Sequence, residues 1–338
     1  MNTESILSEL SNIYGVSGNE SGAALKAADI LMKLTGLKSG YSGGNVTVSI
    51  GERAEGKKHV LVDAHIDEIG MICSYIDDDG FVVPGNIGGM DYRILPAQKV
   101  VIHGKKEIPG VISTVPPHLT EGGNVIKNMD NVRIDTGYSA GELKKYVSAG
   151  DTVSFDASLK KLLGTRVTGK SLDNRAGAAV LIRLAELIKD DNLNCSVTLL
   201  FSSAEEIGER GAATACFEIN PDYALTVDAS FALTQDDSPK KCGIMGKGPM
   251  IGISPSLSRE VSDMLIEAAK ASGIGYQTEV MSGMTGTNAD RFSVSRCGVK
   301  TGTLSFPIKY MHTPAETVDI RDIENTADLA AEFLRRIR

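Results

Sequence analysis

The chain of 338 residues has no surplus of positive charge, no long apolar run and no close pair of cysteines. Each absence removes a class of protein. Its 35 Lys and Arg stand against 43 Asp and Glu, a formal net charge of −8, so it lacks the overall basic character that nucleic-acid binding draws on. No segment approaches the roughly 18 consecutive apolar residues of a membrane helix. The five cysteines, Cys73, Cys195, Cys216, Cys242 and Cys297, are odd in number and far apart, with no Cys-x-x-Cys pair. That pattern argues against a disulfide framework and fits free thiols in a reducing compartment. The first fifteen residues lack the basic and apolar regions of a signal peptide. They read instead as an amphipathic helix with Ile6, Leu7, Leu10 and Ile13 on one face. A soluble cytoplasmic protein is expected. What is present is an ordinary globular composition, 42% hydrophobic with 36 glycines that follow no collagen-like period. It is enough to bury a core in one large domain or two smaller ones.

The texture of the chain changes twice. Residues 1–69 read as two helices, the second over Ala23–Leu34, followed by strands at Val46–Ile50 and His59–His65. The second strand is nearly continuous in apolar residues, as for a strand covered on both faces. From 70 to 163 come short alternating runs (Gly70–Ile76, Phe81–Pro84, Val100–His103, Gly110–Val115, Thr152–Phe155) separated by Gly, Pro and Asp. Asp77-Asp78-Asp79-Gly80 reads as a hairpin turn, and one short helix is expected near Ala140–Val147. From 164 to 338 helices at Asn174–Lys189, Ser258–Ser272 and Arg321–Arg338 alternate with strands at Ser196–Ser202 and Ala224–Asp228. The expected architecture is an α/β domain built from residues 1–69 and 164–338, interrupted by a small all-β domain over 70–163.

Five places carry chemistry. His65 ends a buried strand, where ligands bind in open α/β sheets. Asp67, two residues on, can turn to the same side and orient that imidazole. Asp173 precedes an amphipathic helix, either as a capping residue or as a carboxylate bridging two cations. Glu205 and Glu206 follow the strand Ser196–Ser202. They suit an acidic helix start, or a division of labour in which one holds a metal and the other is a general base. Asp228 ends another apolar strand, and His312 precedes a Thr-Pro turn. Each alone has a plain reading as a cap, turn or core residue. Together the order His, Asp, Glu-Glu, Asp, His fits two metals sharing a bridging carboxylate. The nitrogen and oxygen donors suit Zn, Co or Mn.

With these motifs, and with Gly15-Val16-Ser17-Gly18, Gly246-Lys247-Gly248-Pro249 and Pro307–Glu316, essentially the whole chain resembles the glutamyl-aminopeptidase/cellulase-M family of dinuclear metallopeptidases, the TET aminopeptidases. The resemblance implies a mixed-sheet, zinc-peptidase-like catalytic domain and an inserted β-barrel-like domain that makes subunit contacts. It implies one metal on His65, Asp173 and Asp228 and a second on Asp173, Glu206 and His312, with Asp173 bridging. Glu205 would be the general base, and Asp67 would orient His65. Two divalent metal ions, zinc or cobalt with manganese also acceptable, peptide substrates and a dimer-built tetrahedral dodecamer follow from the same resemblance. No nucleic-acid or membrane partner is expected. Asn288 stands where the family pattern leads one to expect Asp, and Lys309 where Arg is usual. Both bear on substrate recognition or subunit contact. His59, His103 and His118 are read as structural or solvent-facing, and Met281, Gly283 and Met284 as a loop bordering the site. Two rivals compete with the aminopeptidase. One is a glycoside hydrolase, which needs two carboxylates flanking a sugar bond. The other is an inactive assembly or binding homologue.

Overall fold

The computed structural model describes residues 1–114, 128–235, 237–238 and 241–338. The chain opens with α1 (Thr3–Ser11) and α2 (Ser21–Thr35), then β1 (Ser39–Ser42), β2 (Asn45–Ile50) and β3 (Lys58–His65). Asn2 caps α1 by accepting from the Ser5 amide, and the helix stops at Ser11, short of the expected Tyr14-Gly15. Gly36, with φ +77°, ends α2 in the left-handed conformation that glycine adopts without penalty.

Six strands then close into a barrel: β4 (Gly70–Ile76), β5 (Val82–Ile87), β6 (Lys99–His103), β7 (Glu107–Ile112), β8 (Ile134–Asp135) and β9 (Thr152–Phe155), in the order β4-β5-β8-β7-β6-β9. The short α3 (Ala140–Leu143) precedes β9. Inward residues such as Met71, Val82, Ile102, Ile134 and Val153 fill the barrel. The turn at Asp77–Gly80 joins β4 to β5, with the Gly80 amide donating to the Asp77 carbonyl and the Asp77 amide to the Phe81 carbonyl.

The remaining elements are β10 (Lys160–Lys161), β11 (Arg166–Gly169), α4 (Leu172–Ile188), β12 (Cys195–Ser202), α5 (Arg210–Ile219), β13 (Tyr223–Phe231), β14 (Met250–Ile253), α6 (Arg259–Ser272), β15 (Gln277–Val280), α7 (Ala289–Ser293), β16 (Lys300–Ile308), β17 (Glu316–Asp319) and α8 (Ile320–Arg336). The central sheet has eight strands in the order β1-β2-β12-β3-β13-β16-β14-β15. Its middle strands β12, β3, β13 and β16 are parallel, β2 pairs antiparallel with both its neighbours, and β14 is antiparallel to β16 but parallel to β15. The result is a mixed α/β fold with a closed antiparallel barrel. The pair Lys160–Lys161 joins β11, which pairs in turn with β17, so this stretch shares a small sheet with the C-terminal part of the chain.

The two faces of the central sheet differ, and the difference positions the site. Val60, Val62, Ala64, Leu225, Val227 and Leu304 pack with residues of α1, α2, α4 and α8 in one continuous core. The opposite face is mostly polar, with one small apolar cluster where Leu61, Leu200 and Ala224 meet α5 and Phe292. Further along it becomes Asp63 and His65 on β3, Thr226, Asp228 and Ser230 on β13, and Thr303 and Ser305 on β16. Residues two apart in a strand share a face. The polar half lies toward the carboxyl ends of the parallel strands, where open α/β sheets bind ligands. Asp228 is an interior residue of β13, which runs on to Phe231, and does not end its strand.

Candidate active site

His65 and Asp228 project from the sheet, and three loops bring the other groups to them. Beyond β3, Ile66 donates to the Ser202 carbonyl (2.8 Å), and Glu68 exchanges backbone bonds with Gly15 and Ser17. This fixes Asp67, fully buried, under the loop after β12. Its carboxylate accepts from the Ser17 hydroxyl (2.5 Å) and from the amides of Glu205 (3.0 Å) and Glu206 (3.2 Å). His65 Nδ1 lies 3.2 Å from the Asp67 carbonyl oxygen and 3.5 Å from its carboxylate. A proton on Nδ1 shared with Asp67 leaves Nε2 free as a donor atom.

Asp173 does not cap α4. It lies one residue inside the helix, with non-helical φ and ψ at Asp173 and Asn174 and a cis peptide bond between them. Its amide donates to Glu316 (3.0 Å), and the His312 amide donates to the other oxygen of the same carboxylate (2.8 Å). One buried side chain thus ties the Asp173 and His312 backbones together. His312 and Ala204, beside Glu205, have φ of 61° and 54°, sparsely populated conformations for residues with a Cβ. The barrel closes the site from outside. A Cβ on Gly89 would lie 3.2 Å from His312 Nδ1, and one on Gly88 the same distance from Glu206 Oε2.

Asp173 faces both histidines. Its Oδ1 is 3.3 Å from His65 Nε2 and its Oδ2 is 3.4 Å from His312 Nε2. His65 Nε2 is 3.6 Å from Asp228, and His312 Nε2 is 3.3 Å from Glu206. These separations are long for hydrogen bonds. They are the spacing of donors about 2.0–2.2 Å from one tetrahedral cation, whose donors lie about 3.3–3.6 Å apart. In each of the sets His65/Asp173/Asp228 and Asp173/Glu206/His312 the donor atoms lie within 4.8 Å of one another, as do those of His65, Glu205 and Glu206. The five expected ligands therefore meet, with Asp173 common to both sets, and their geometry fits two divalent cations.

Electrostatics describe a cluster short of positive charge. Burial works to lower both imidazoles but is outweighed. His312 is pushed up to about 11 by Asp173 and Glu206, and His65 well above its ordinary value by Asp173 and Asp67. Burial raises Asp228 and Glu206, with Asp173 adding to both. Burial also pushes Glu205 up to about 8, helped by Glu206, Asp173 and Asp67 against the pull of His65. Asp173 goes the other way, because bonding to His312 and His65 overcomes its burial.

Several residues of the site could not be picked out beforehand. Glu68, Lys170 and Arg175 form a buried charge cluster behind it, with Lys170 Nζ 2.8 Å from Glu68 and Arg175 donating to the Leu10 carbonyl (2.7 Å). Glu316 stood in a motif with no role given to it. The only advance signal was that all four lie within three residues of an expected ligand or of Asp67, or beside the His312 turn. Asn288 is fully buried. It donates to Asp63 (2.8 Å) and Ser202 (2.9 Å) and so reaches neither the cavity wall nor the surface. Lys309 pairs through its backbone with Thr317. His59 is buried between the hydroxyls of Ser196 (2.7 Å) and Thr198 (3.1 Å), and His103 is bonded to Ser154 (2.7 Å). Both are structural. His118 lies outside the described residues.

The site opens into a cavity of about 1240 Å³, lined also by Phe231, Ile244, Glu279, Met281 and Met284. Against known proteins, residues 44–329 match the M42 glutamyl aminopeptidase family. The lysyl aminopeptidase of Pyrococcus furiosus is 33% identical over 287 residues, which cover 82% of each chain. The solved aminopeptidase APDkam598 of the archaeon Desulfurococcus kamchatkensis superposes with a TM-score of 0.91 at 30% identity, covering 98% of this chain and 94% of its own. The Pyrococcus horikoshii TET1 peptidase, described as assembling into a tetrahedron or a large octahedral shell, superposes at 0.85 with 29% identity over 99% of this chain and all of its own. The match spans most of the chain, takes in every expected ligand, and extends to complete solved folds: the chain belongs to the M42 glutamyl aminopeptidase family of peptidases.

Proposed function

We propose that the protein is a dinuclear metal-dependent aminopeptidase that hydrolyses the N-terminal peptide bond of peptides. The observation that carries this is Asp173, whose two oxygens face two different imidazoles at ligand spacing. His65, Asp173 and Asp228 would hold one divalent cation, and Asp173, Glu206 and His312 the other. Zinc or cobalt suits these donors best, and manganese is acceptable. When bound, the pair supplies Lewis acidity and makes the attacking water acidic.

Glu205 borders the same donors without belonging to either set of three that includes Asp173. It takes the proton from the water that attacks the scissile carbonyl carbon and gives it to the leaving amine nitrogen. Its burial favours the protonated carboxyl, which suits a group that holds the proton between taking it from water and giving it to the amine. Asp67 has two positioning tasks. It orients His65, and it receives the Glu205 and Glu206 amides, so base and ligand are held from one carboxylate.

Glu205 and Glu206 are consecutive and face the same imidazole, which does not suit two carboxylates placed on either side of a glycosidic bond. The complete ligand set speaks against an inactive scaffold. Five free cysteines support a cytoplasmic location. The likeness to the TET1 shell supports a homo-oligomer, with a dodecamer as the assembly we expect.

The test is Glu205→Gln. That variant should bind two metal ions per chain, read by mass spectrometry. It should also lose about 10²–10⁴-fold in kcat on aminoacyl-arylamides. Full activity would remove Glu205 from the base role, and no bound metal in the unaltered protein would remove the metal reading.

A further inference from the structure

One carboxylate in the cavity lies outside the metal cluster and has no cation of its own. Glu279, on the edge strand β15, accepts hydrogen bonds from the hydroxyls of Ser230 and Ser305. No Lys, Arg or His among the described residues pairs with it. Its burial, with only two hydroxyls in compensation, raises its pKa above the ordinary value. Glu279 is half-buried, and a largely desolvated carboxylate without a counter-ion is costly unless a cation arrives.

Its position relative to the reacting centre is set by the sheet. Ser230 is two residues beyond Asp228 on β13, on the same face and roughly 7 Å along the strand. Ser305 on β16 is the direct neighbour of Asp228 across the ladder, about 4.8 Å away. Both hydroxyls that hold Glu279 thus belong to positions adjoining the metal ligand. The Thr303 hydroxyl, on the same face of β16, is buried at the cavity wall without a partner. Met281 and Met284 supply apolar wall beside them. A group that suits this place has an apolar stem and a cationic head with several donors, which describes lysine and arginine side chains. At the rim, Lys241 and Asp237 are exposed and of opposite sign, so neither matches the desolvated charge of Glu279.

We propose that Glu279 selects a basic N-terminal residue, lysyl or arginyl, by receiving its side-chain cation in this cavity. The inference rests on the aminopeptidase reading and names its substrate class. The test measures kcat/KM for lysyl-, arginyl-, leucyl- and glutamyl-arylamides on metal-loaded protein and on its Glu279→Gln variant. The variant's side chain keeps the shape and the acceptor for Ser230 and Ser305. The unaltered protein should prefer the two basic substrates. In the variant the lysyl-to-leucyl ratio should fall by about 10–100-fold, the weight of a hydrogen bond to a charged group. A ratio that does not move, a native preference for glutamyl substrate, or an equal loss on every substrate would each overturn the proposal. The last result would place Glu279 at the α-ammonium group. Calorimetric binding of L-lysinamide against L-leucinamide to both proteins carries the same contrast without turnover. If no substrate is cleaved, the aminopeptidase reading fails while the binding contrast still decides the role of Glu279.

Discussion

Glu68→Gln should be more damaging than Lys170→Met, although both remove one member of the same buried pair. Lys170 and Glu68 have side chains only 2% and 4% exposed, and Lys170 Nζ lies 2.8 and 3.0 Å from the two carboxylate oxygens. Arg175, fully buried, stands 3.9 Å from Glu68 on the other side. Charge counting decides the order. Lys170→Met leaves Glu68 with Arg175 and with the Gly15 amide at 2.8 Å, a matched anion and cation. The cost is then mainly lost charge-assisted hydrogen bonds, about 1–3 kcal/mol. Glu68→Gln leaves two buried cations side by side, for which breaking a buried pair costs about 3–5 kcal/mol. At an unfolding entropy of about 2.1 cal/mol/K per residue, the second figure lowers Tm by about 4–7 °C for a chain of this length. Lys170 is already held below its ordinary value by burial and then by Arg175, against Glu68. In the Gln variant it falls further, so the folded form sheds a proton that the unfolded chain keeps to about 10.5. Stability rises with pH wherever the unfolded state binds more protons. The deficit of Glu68→Gln should therefore shrink from pH 7 toward pH 9–10. Scanning calorimetry of the two variants at both ends of that range is the assay. Equal losses, or a Lys170→Met variant that is the less stable of the two, would refute the charge count.

Removing metal should destabilise the protein measurably. Each site held at a free cation concentration about 100 times its Kd adds about 2.7 kcal/mol, so chelation should lower Tm by several degrees, recovered on refilling. A Tm indifferent to chelator would contradict cation sites at the carboxylate cluster. Gly88→Ala places a Cβ 2.7 Å from Ile69 and 3.2 Å from the Glu206 carboxylate at φ +76°. It should weaken the His312 site before the His65 site, so that metal content falls first from two ions toward one in a titration with chelator. His59 is pushed down to about 4 from 6.5, by burial first and by Arg53. Between those values the unfolded chain binds the proton that the fold excludes, so this contribution is complete above pH 6.5 and lost as pH falls toward 4. A His59→Asn variant should show a flatter loss of stability over that window, and an unchanged slope would assign the acid sensitivity elsewhere. Asp63, which burial raises to about 6, acts with the opposite sign in the same range.

How much could be read in advance depended on whether a residue's constraint was local. The strand Lys58–His65 and the barrel strands Gly70–Ile76 and Thr152–Phe155 follow from their own apolar runs and turns, so their bounds were legible to within a residue. The strand Lys300–Ile308 escaped notice although it lies in the middle of the sheet. Its alternating Thr301, Thr303 and Ser305 and its Pro307 look like an exposed segment. They are polar because that half of the sheet faces the site, and function has overridden the apolar signature. The five residues proposed as ligands stood out because a cation restricts residue type, and His and carboxylates in or near inferred strand ends and loops are few; the fold brings these five together. Beyond Asp67 beside His65, what holds those residues was not legible, nor were the partners of Asp67 itself. Asp67 accepts hydrogen bonds from Ser17, 50 residues earlier, and from Glu205, 138 residues later, and Glu316, 143 residues beyond Asp173, joins it to His312. Any hydrogen-bonding side chain could in principle occupy such positions, so residue type alone carries no signal, and only the fold selects the one that reaches. Glu279 belongs to this second kind. An exposed-looking Gln-Thr-Glu-Val strand became a candidate specificity determinant only when β13 and β16 brought Ser230 and Ser305 to its carboxylate. Specificity should therefore be sought along the sheet edge next to the proposed ligands, where neighbouring strands, and not the ligand motifs, determine which charge meets the substrate.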